Sequence, residues 1–427
     1  MQVLLMFLIM LALLFLEAPV YVSLAAASLT ALLMDGGISV QVMSQRMFTA
    51  VNTFSLLALP FFMLAGTFME QGGLTEKMVR FASSIVGWLK GGMSYVSVVA
   101  GMIMGGISGA CTADTAALSA LMIPTMKKEG YDEGYAAALQ AASGCLGLII
   151  PPSVPMILMG GITGISVAKL FVAGIGPGIL CAIALMVACK YSTSRKNVGS
   201  GEYVPFSFKN IWASLKDAAL TLLAPIIIIG GIISGIFTAT ESSVIAAVYT
   251  FLIGTFVYKQ IKLKDLPRML FEAGRKTGTV MIVVAGAGTF SWMLTYNNVH
   301  KVLTNFIFSI TTNPALIVFL MMLIFFVLAM FIDESPLIIM LLPIMLPIAK
   351  QVGIDPMLFC ILMVINNAIG GIMPPVGAAV FVAAGAGGIK TSRVNRHVFP
   401  FVVAYLVCMV LIFIFPDICL WLPNHTA

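Results

Sequence analysis

Long apolar runs fill the chain from end to end, broken at intervals by short clusters of charge, glycine and proline. They fall at about 2–16, 18–34, 52–70, 92–107, 115–126, 132–150, 154–164 and 168–189. They resume at about 218–236, 240–258, 277–294, 314–331, 336–349, 356–373, 375–388 and 397–415. The longer runs approach the roughly 20 apolar residues that carry a helix across a bilayer, so the pattern predicts an all-α polytopic membrane protein. Two further stretches, 74–90 and 297–310, mix polar and apolar positions and predict interfacial helices lying along the membrane. The one long polar stretch, Lys190 to Lys216, divides the chain into a first part at 1–190, a linker at 191–216 and a second part at 217–427.

The two parts match at an offset of 223 or 224 residues: Glu17 with Glu241, Pro124 with Pro347, Gly130 with Gly353, Asp132 with Asp355, Gly147 with Gly370, and Pro151-Pro152 with Pro374-Pro375. A fixed offset over most of each half marks a tandem duplication. Loop charge gives its sense, because Lys and Arg stay cytoplasmic. With five crossings and one helical hairpin per repeat, 19 of the 23 basic residues fall on one side, leaving Arg46, Lys169, Lys301 and Lys350 on the other. The loop after 18–34 has one basic residue, Arg46, whereas the loop after 240–258 has six, Lys259, Lys262, Lys264, Arg268, Arg275 and Lys276. Inverted repeats explain that asymmetry, with both termini periplasmic and the linker cytoplasmic. A hairpin and two full spans have the same parity, so charge does not decide whether 92–126 and 314–349 re-enter.

Composition narrows the function class. Charged residues make up 9% of the chain and hydrophobic ones 60%, against about 25% charged in soluble domains. The net charge of +6 follows from topology, and no basic run is interleaved with aromatics as a nucleic-acid surface requires. The seven cysteines lie in apolar segments without metal-ligand spacing, and the three histidines form no cluster. No basic segment precedes the first apolar run, so that run is expected to be a retained span.

Four interruptions carry the chemistry, two per repeat. One is a polar break between short apolar helices: Ser108-Gly109-Ala110-Cys111-Thr112-Ala113-Asp114, and its counterpart Asp333-Glu334-Ser335-Pro336. The other is a Gly/Pro break: Gly147 through Pro151-Pro152-Ser153, and Gly370 through Pro374-Pro375-Val376-Gly377, with Asn366 and Asn367 one turn earlier. Proline removes a backbone donor and blocks the carbonyl one turn back. Unwound backbone at membrane depth survives only inside protein or along a watery cavity. The freed carbonyls suit Na⁺, and the new helix N-termini suit an anion. Discontinuous helices at matching positions of two halves point to the binding site of a secondary transporter.

Asp114, Asp333 and Glu334 are acids in apolar surroundings and need neutralising. A bound cation does this for Asp333; protonation is the competing account. Asp114 also suits a helix-capping role. No Lys or Arg lies in any break, so a substrate carboxylate would rely on helix dipoles, hydroxyls and bound cations, which makes anion binding cation-dependent. Glu241 follows Thr238 at capping-box spacing and sits at an outer turn where a partner can dock.

At these motifs the sequence resembles the large membrane subunit of the tripartite ATP-independent periplasmic (TRAP) transporters, in the ion transporter superfamily. The resemblance rests on Gly106-Ile107-Ser108-Gly109 with Ala113-Asp114; Met122-Ile123-Pro124 through Asp132; Ile150-Pro151-Pro152-Ser153-Val154-Pro155; Gly235-Ile236-Phe237-Thr238-Ala239-Thr240-Glu241; and Gly353-Ile354-Asp355-Pro356 through Gly377. It implies two inverted-topology repeats, each with a re-entrant hairpin (92–126, 314–349) and a discontinuous helix (132–164, 356–388), forming an elevator-type transport domain inside a scaffold. It implies Na⁺ as coupling ion, two ions or more, with no other cofactor. One ion would be held by Ser108, Gly109, Thr112, Gly147 and Pro151, the other by Asp333, Ser335, Gly370 and Pro374. Substrate would meet Thr112, Ser153, Ser335, Asn366 and Gly377. It also implies a small four-span membrane subunit on another chain, and a periplasmic substrate-binding protein docking near Glu241. Two departures stand out. Ala239 replaces a common proline, and Glu334 adds a carboxylate beside the second cation site.

The expectation is Na⁺-coupled uptake of an organic acid anion, of the C4-dicarboxylate or sialic acid class, across the bacterial inner membrane. A receptor-independent carboxylate carrier or antiporter of the same superfamily is the alternative. An intramembrane enzyme would need a His/Cys/Asp constellation at membrane depth, and the sequence shows none.

Overall fold

The computed structural model describes residues 2–196 and 206–425. Residues 197–205, on which much of the expected linker falls, lie outside the described residues, as do Met1 and 426–427. Among the described residues all regular structure is helical. Among these residues seven helices are long and apolar enough to cross a membrane, and an eighth candidate is a pair, Phe399–Ile414 with Asp417–His425, bent by 58°.

Several helices outrun the apolar segments. Helix Val167–Lys196 extends beyond 189, and Phe208–Ile233 begins before 218, so both ends of the polar stretch are helical. The region before 277 is helical too: Leu266–Tyr296 is one 31-residue helix, with Pro267 in its first turn. Proline is tolerated there because the first N–H groups of a helix have no acceptor anyway. The matching stretch of the first repeat is broken into Gln41–Val51, a short turn at Phe54–Leu57, and Ala58–Gln71.

Helices at positions matched by the offset make contacts that are exchanged reciprocally between the halves. Ala58–Gln71 of the first half packs on Ala239–Leu252 of the second, and the equivalent pair, Leu266–Tyr296 with Val20–Asp35, packs likewise. Cys111–Lys128 packs on Ala378–Gly387, and its mirror pair is Glu334–Gln351 with Val154–Thr163. Reciprocal exchange of this kind is what a two-fold relation produces.

The centre is occupied by the two discontinuous helices. Every residue from Gly134 to Gly144 is buried, as is every residue from Leu358 to Gly370. Burial on all sides marks an interior helix. Matched aspartates start both. Asp132 accepts from the Tyr135 N–H at 3.0 Å, and Asp355 accepts from the N–H groups of Met357 and Leu358 at 2.8 and 3.2 Å. Asp132 and Glu133 also bond the Arg393 guanidinium at 2.8 and 3.3 Å, tying the first broken helix to the short helix Thr391–Asn395 of the other half.

Candidate functional site

The first hairpin consists of Gly92–Ser108 and Cys111–Lys128, joined by Gly109 and Ala110. Its tip lies against the first break, where the Val154 N–H donates to the Gly109 carbonyl at 3.1 Å. Gly109 has φ +65°, in the left-handed region, and a Cβ there would strike the Pro152 carbonyl oxygen. Both the backbone angle and the close approach therefore require glycine. Along the hairpin, Gly101 and Gly105 let the helix lie directly on Ser143 and Gly147 of the broken helix.

The break runs from Ile150 to Ser153, between Leu146–Ile149 and Val154–Thr163. Pro151 and Pro152 have no N–H to offer the carbonyls of Gly147 and Leu148. The Ser153 hydroxyl replaces one of the lost donors, bonding the Leu148 carbonyl at 2.5 Å, and its oxygen caps the Met156 N–H at 3.4 Å. Asp114 is 1% exposed. One carboxylate oxygen accepts from the Ser108 hydroxyl at 2.5 Å; the other is buried without a hydrogen-bond partner. That free oxygen lies where a Cβ of Gly147 would stand. Asp114 caps nothing: the N-cap of its helix is Ala110, with no side-chain cap bond. It sits one turn inside and binds the hairpin tip.

The second hairpin pairs Pro314–Ala329 with Glu334–Gln351. Asp333 occupies the N-cap position of the latter, yet its side chain makes no cap hydrogen bond. Among the described residues no ion pair within 4.0 Å joins Asp333 or Glu334 to a cation. The second break lies between Pro356–Ile372 and Ala378–Gly387. Pro374 and Pro375 deprive the carbonyls of Gly370 and Gly371 of helical donors; the Met373 N–H reaches Gly370 at 3.2 Å. Gly370 packs directly on Ala329, and Gly377, at φ +55°, folds back towards the carbonyls of Met373 and Gly371. Both proline doublets contain a cis peptide bond. Asn366 donates to the Met322 carbonyl at 2.7 Å, whereas the Asn367 amide nitrogen is buried without a partner.

Two cavities gather these residues. The smaller, about 30 Å³, lies between the two hairpin tips and the second break. Its lining includes Cys111, Thr112, Asp333, Glu334, Asn367, Gly371 and Gly377. The larger, about 740 Å³, meets Ser108, Thr112, Asp333, Glu334 and Ser335 on one side. On the other it meets Glu70 from helix Ala58–Gln71 and Arg275, Lys276 and Thr279 from helix Leu266–Tyr296. Of the residues expected from sequence, Ser108, Thr112, Asp333 and Ser335 are brought to the larger cavity, and Gly377 to the smaller. Gly109, Gly147, Pro151, Ser153, Asn366, Gly370 and Pro374 line neither. Apart from Gly109, at the first tip, they pack behind the tips, Ser153 and Asn366 with their side chains bonded to backbone carbonyls. Glu241 lines neither cavity. It forms a full capping box with Thr238, accepting from that residue's N–H at 2.8 Å and hydroxyl at 2.9 Å.

Sequence reasoning missed Arg275 and Lys276 at the cavity wall, having placed them in a loop. The helix-start signal at Leu266-Pro267 was the clue that could have put them in the third turn of a helix.

The sequence and the fold have counterparts among known proteins. Residues 7–418 match the family described as "Tripartite ATP-independent periplasmic transporter, DctM component". The sialic acid TRAP transporter large permease protein SiaM of Vibrio cholerae is 35% identical over 97% of this chain and 96% of its own length. The 2,3-diketo-L-gulonate TRAP transporter large permease protein YiaN of Escherichia coli is 37% identical over 89% of each. The C4-dicarboxylate TRAP transporter large permease protein DctM of Vibrio cholerae is 33% identical over 99% and 98%. Among solved structures, the Alcanivorax borkumensis YdaH transporter shares the fold at TM-score 0.63 and 12% identity, covering 88% of this chain and 87% of that one. Near-complete coverage by large permeases, on a fold of apolar helices around a doubly broken core, leads to one conclusion: the chain belongs to the DctM component of the tripartite ATP-independent periplasmic transporters, as a multi-pass membrane permease.

Proposed function

We propose that the chain carries an organic acid anion into the cell by Na⁺ symport, moving the two hairpins and two broken helices as one body against a scaffold of the remaining spans. A periplasmic substrate-binding protein delivers the acid, and a small four-span membrane subunit braces the scaffold. The observation that carries this reading is the convergence of both hairpin tips on cavities where, among the described residues, Asp333 and Glu334 make no ion pair within 4.0 Å. The named relatives take sialic acid, 2,3-diketo-L-gulonate and C4-dicarboxylates, so the substrate class is an organic acid of that kind.

The donor set fits Na⁺. Around the first break the ligands are the Gly147 carbonyl, robbed of its donor by Pro151, together with Ser108, Gly109 and Thr112. Around the second they are Asp333 and Ser335 with the carbonyls of Gly370, Pro374 and the Gly371 turn. These are hard oxygen donors of the type that suits alkali and other hard cations. Thr112 and Ser335 face the larger cavity and offer hydroxyls to the acid. Ser153, Asn366 and Gly377 hold the backbone that shapes the site. Coupling follows from charge. With the hairpin acids unneutralised, an anion entering the cavity is repelled; with cations in place, repulsion becomes attraction. Each ligand raises the affinity of the other by the same factor. The reciprocal exchange of helix contacts supports two inverted repeats, the architecture in which a central body alternates between two equivalent exits.

The test is uptake into proteoliposomes containing the permease, its small subunit and its receptor, with Na⁺, pH and the acid varied. Receptor-dependent accumulation that rises with the Na⁺ gradient is expected. Accumulation driven equally well by protons alone removes Na⁺ coupling, and uptake indifferent to the receptor favours a stand-alone carrier.

A further inference from the structure

The ionisable residues that the hairpin tips bring to the larger cavity are both acids, Asp333 and Glu334. The two cations on its wall belong to a different body. Arg275 and Lys276 lie on the long helix Leu266–Tyr296, outside the hairpins and broken helices. Lys276 is held in place. Its ammonium meets Glu272, one turn earlier, at 3.2 Å, and the other oxygen of Glu272 accepts from the Gln71 side-chain amide at 3.0 Å. Gln71 ends the helix Ala58–Gln71 of the opposite half. A hydrogen-bonded chain thus joins the two halves at the cavity wall and presents an ammonium that, among the described residues, has Glu272 as its one ion-pair partner within 4.0 Å. Among the described residues Arg275 has no ion-pair partner within 4.0 Å.

The wall has a direction. Glu70 lines both this cavity and a second polar one of about 580 Å³, which also touches Lys77 and Arg80. The two cavities meet at Glu70, on the side of the basic helix Leu74–Val86, which carries Lys77 and Arg80, and of the basic stretch 259–268. The excess of Lys and Arg assigns that side to the cytoplasm.

We infer that Arg275 and Lys276 form an anion-holding station on the fixed scaffold, met by the transported acid only when its site faces the cytoplasm. This rests on the transport reading proposed above and deepens it. A charge on the moving body would bind the acid equally in both states and could not bias the exchange between them. A charge on the scaffold contributes in one state only. It favours arrival of the anion at the cytoplasmic side and sets the affinity there independently of the affinity seen by the receptor. Glu272 is a positioning residue, since it acts through Lys276.

The test uses the complete three-part transporter in proteoliposomes. Succinate, N-acetylneuraminate, 2,3-diketogulonate and isethionate serve as probes, and half-saturation is measured separately at each face by counterflow. For whichever acid the wild type carries, Lys276→Gln and Arg275→Gln are each expected to raise half-saturation at the cytoplasmic face about tenfold, the effect of one lost charge pair in a partly watery site. Receptor-delivered half-saturation is expected to stay within about twofold, which also shows that the variants are folded. Lys276→Arg is expected to restore the cytoplasmic value, since it keeps the charge. Unchanged values at the cytoplasmic face, or equal rises at both faces, would overturn the station while leaving transport intact. A wild type that accumulates none of these acids on a Na⁺ gradient would sink the transport reading and this inference with it.

Discussion

At the scale of single residues, two aspartates in the same sequence position of a helix do different work. Asp355 and Asp333 both stand at N-caps, but only Asp355 spends its carboxylate on backbone N–H groups. Truncating Asp355 to alanine removes a working cap and should cost about 1 kcal/mol, read as a lower thermal midpoint of the purified protein. Truncating Asp333 removes no hydrogen bond that holds the helix. Asp333→Ala is therefore expected to abolish Na⁺-driven uptake with the thermal midpoint nearly unchanged; wild-type uptake and Na⁺ dependence would exclude Asp333 from the site. The sequence showed both acids and both proline doublets, because such residues are conspicuous in apolar surroundings. It did not show the free oxygen of Asp114 resting on Gly147, a contact between residues 33 apart in the chain that no local pattern encodes. Nor did it place Arg275 and Lys276 on the cavity wall. A run of charge looks like loop, and the helix that carries it is betrayed only by Leu266-Pro267 at its start.

At the scale of elements, helix ends and inter-helix ties decide what local substitutions do. Glu241 completes a capping box at the exposed start of Ala239–Leu252, so a docking role must be separated from capping. Gln can accept the same hydrogen bonds without charge. Glu241→Gln and Glu241→Arg should both weaken receptor-dependent uptake at limiting receptor if the charge serves docking, and only Glu241→Arg should lower the thermal midpoint. Normal uptake with Gln leaves capping alone. The Asp132–Arg393 tie makes a pH prediction. Burial works against the Asp132 carboxylate, but the Arg393 hydrogen bond and the Tyr135 N–H outweigh it and hold its pKa below the ordinary value. A carboxylate depressed in the folded state contributes stability above its unfolded pKa of about 3.9 and loses it as pH falls through the folded value. The wild-type protein should thus lose more thermal stability than Arg393→Gln between about pH 6 and pH 3. Parallel curves would mean the pair is worth nothing in solution. Helix Gln41–Val51 escaped the apolar pattern altogether: its polar residues keep it from reading as a span, and only three-dimensional packing shows it lying on the long helix, with the Met43 carbonyl accepting from Thr289 at 3.2 Å.

At the scale of the whole molecule, the constant offset between the two halves led to the expectation of a duplication, but an offset fixes only order. That equivalent helices exchange partners across the molecule is a property of three-dimensional packing, and it is what separates two tandem units from one interlocked body. The interlocking leaves a boundary that can be tested directly. Gly106, on the first hairpin, lies against Pro225 of helix Phe208–Ile233; a Cβ at Gly106 would stand 3.1 Å from the Cβ of Pro225. That separation is just short of the range spanned by disulfides, about 3.5–4.5 Å, so a Gly106→Cys, Pro225→Cys pair should crosslink with little adjustment. If the hairpins slide against the scaffold, oxidation must stop uptake and a reductant must restore it, because the bond ties the moving body to the fixed one at a single height. A second crosslink placed within the moving body should leave transport intact, which separates a lock from general damage. Transport that continues with the Gly106–Pro225 bond formed would show that the two bodies do not slide past each other, and the cavity would then have to open by a smaller movement of the hairpin tips alone.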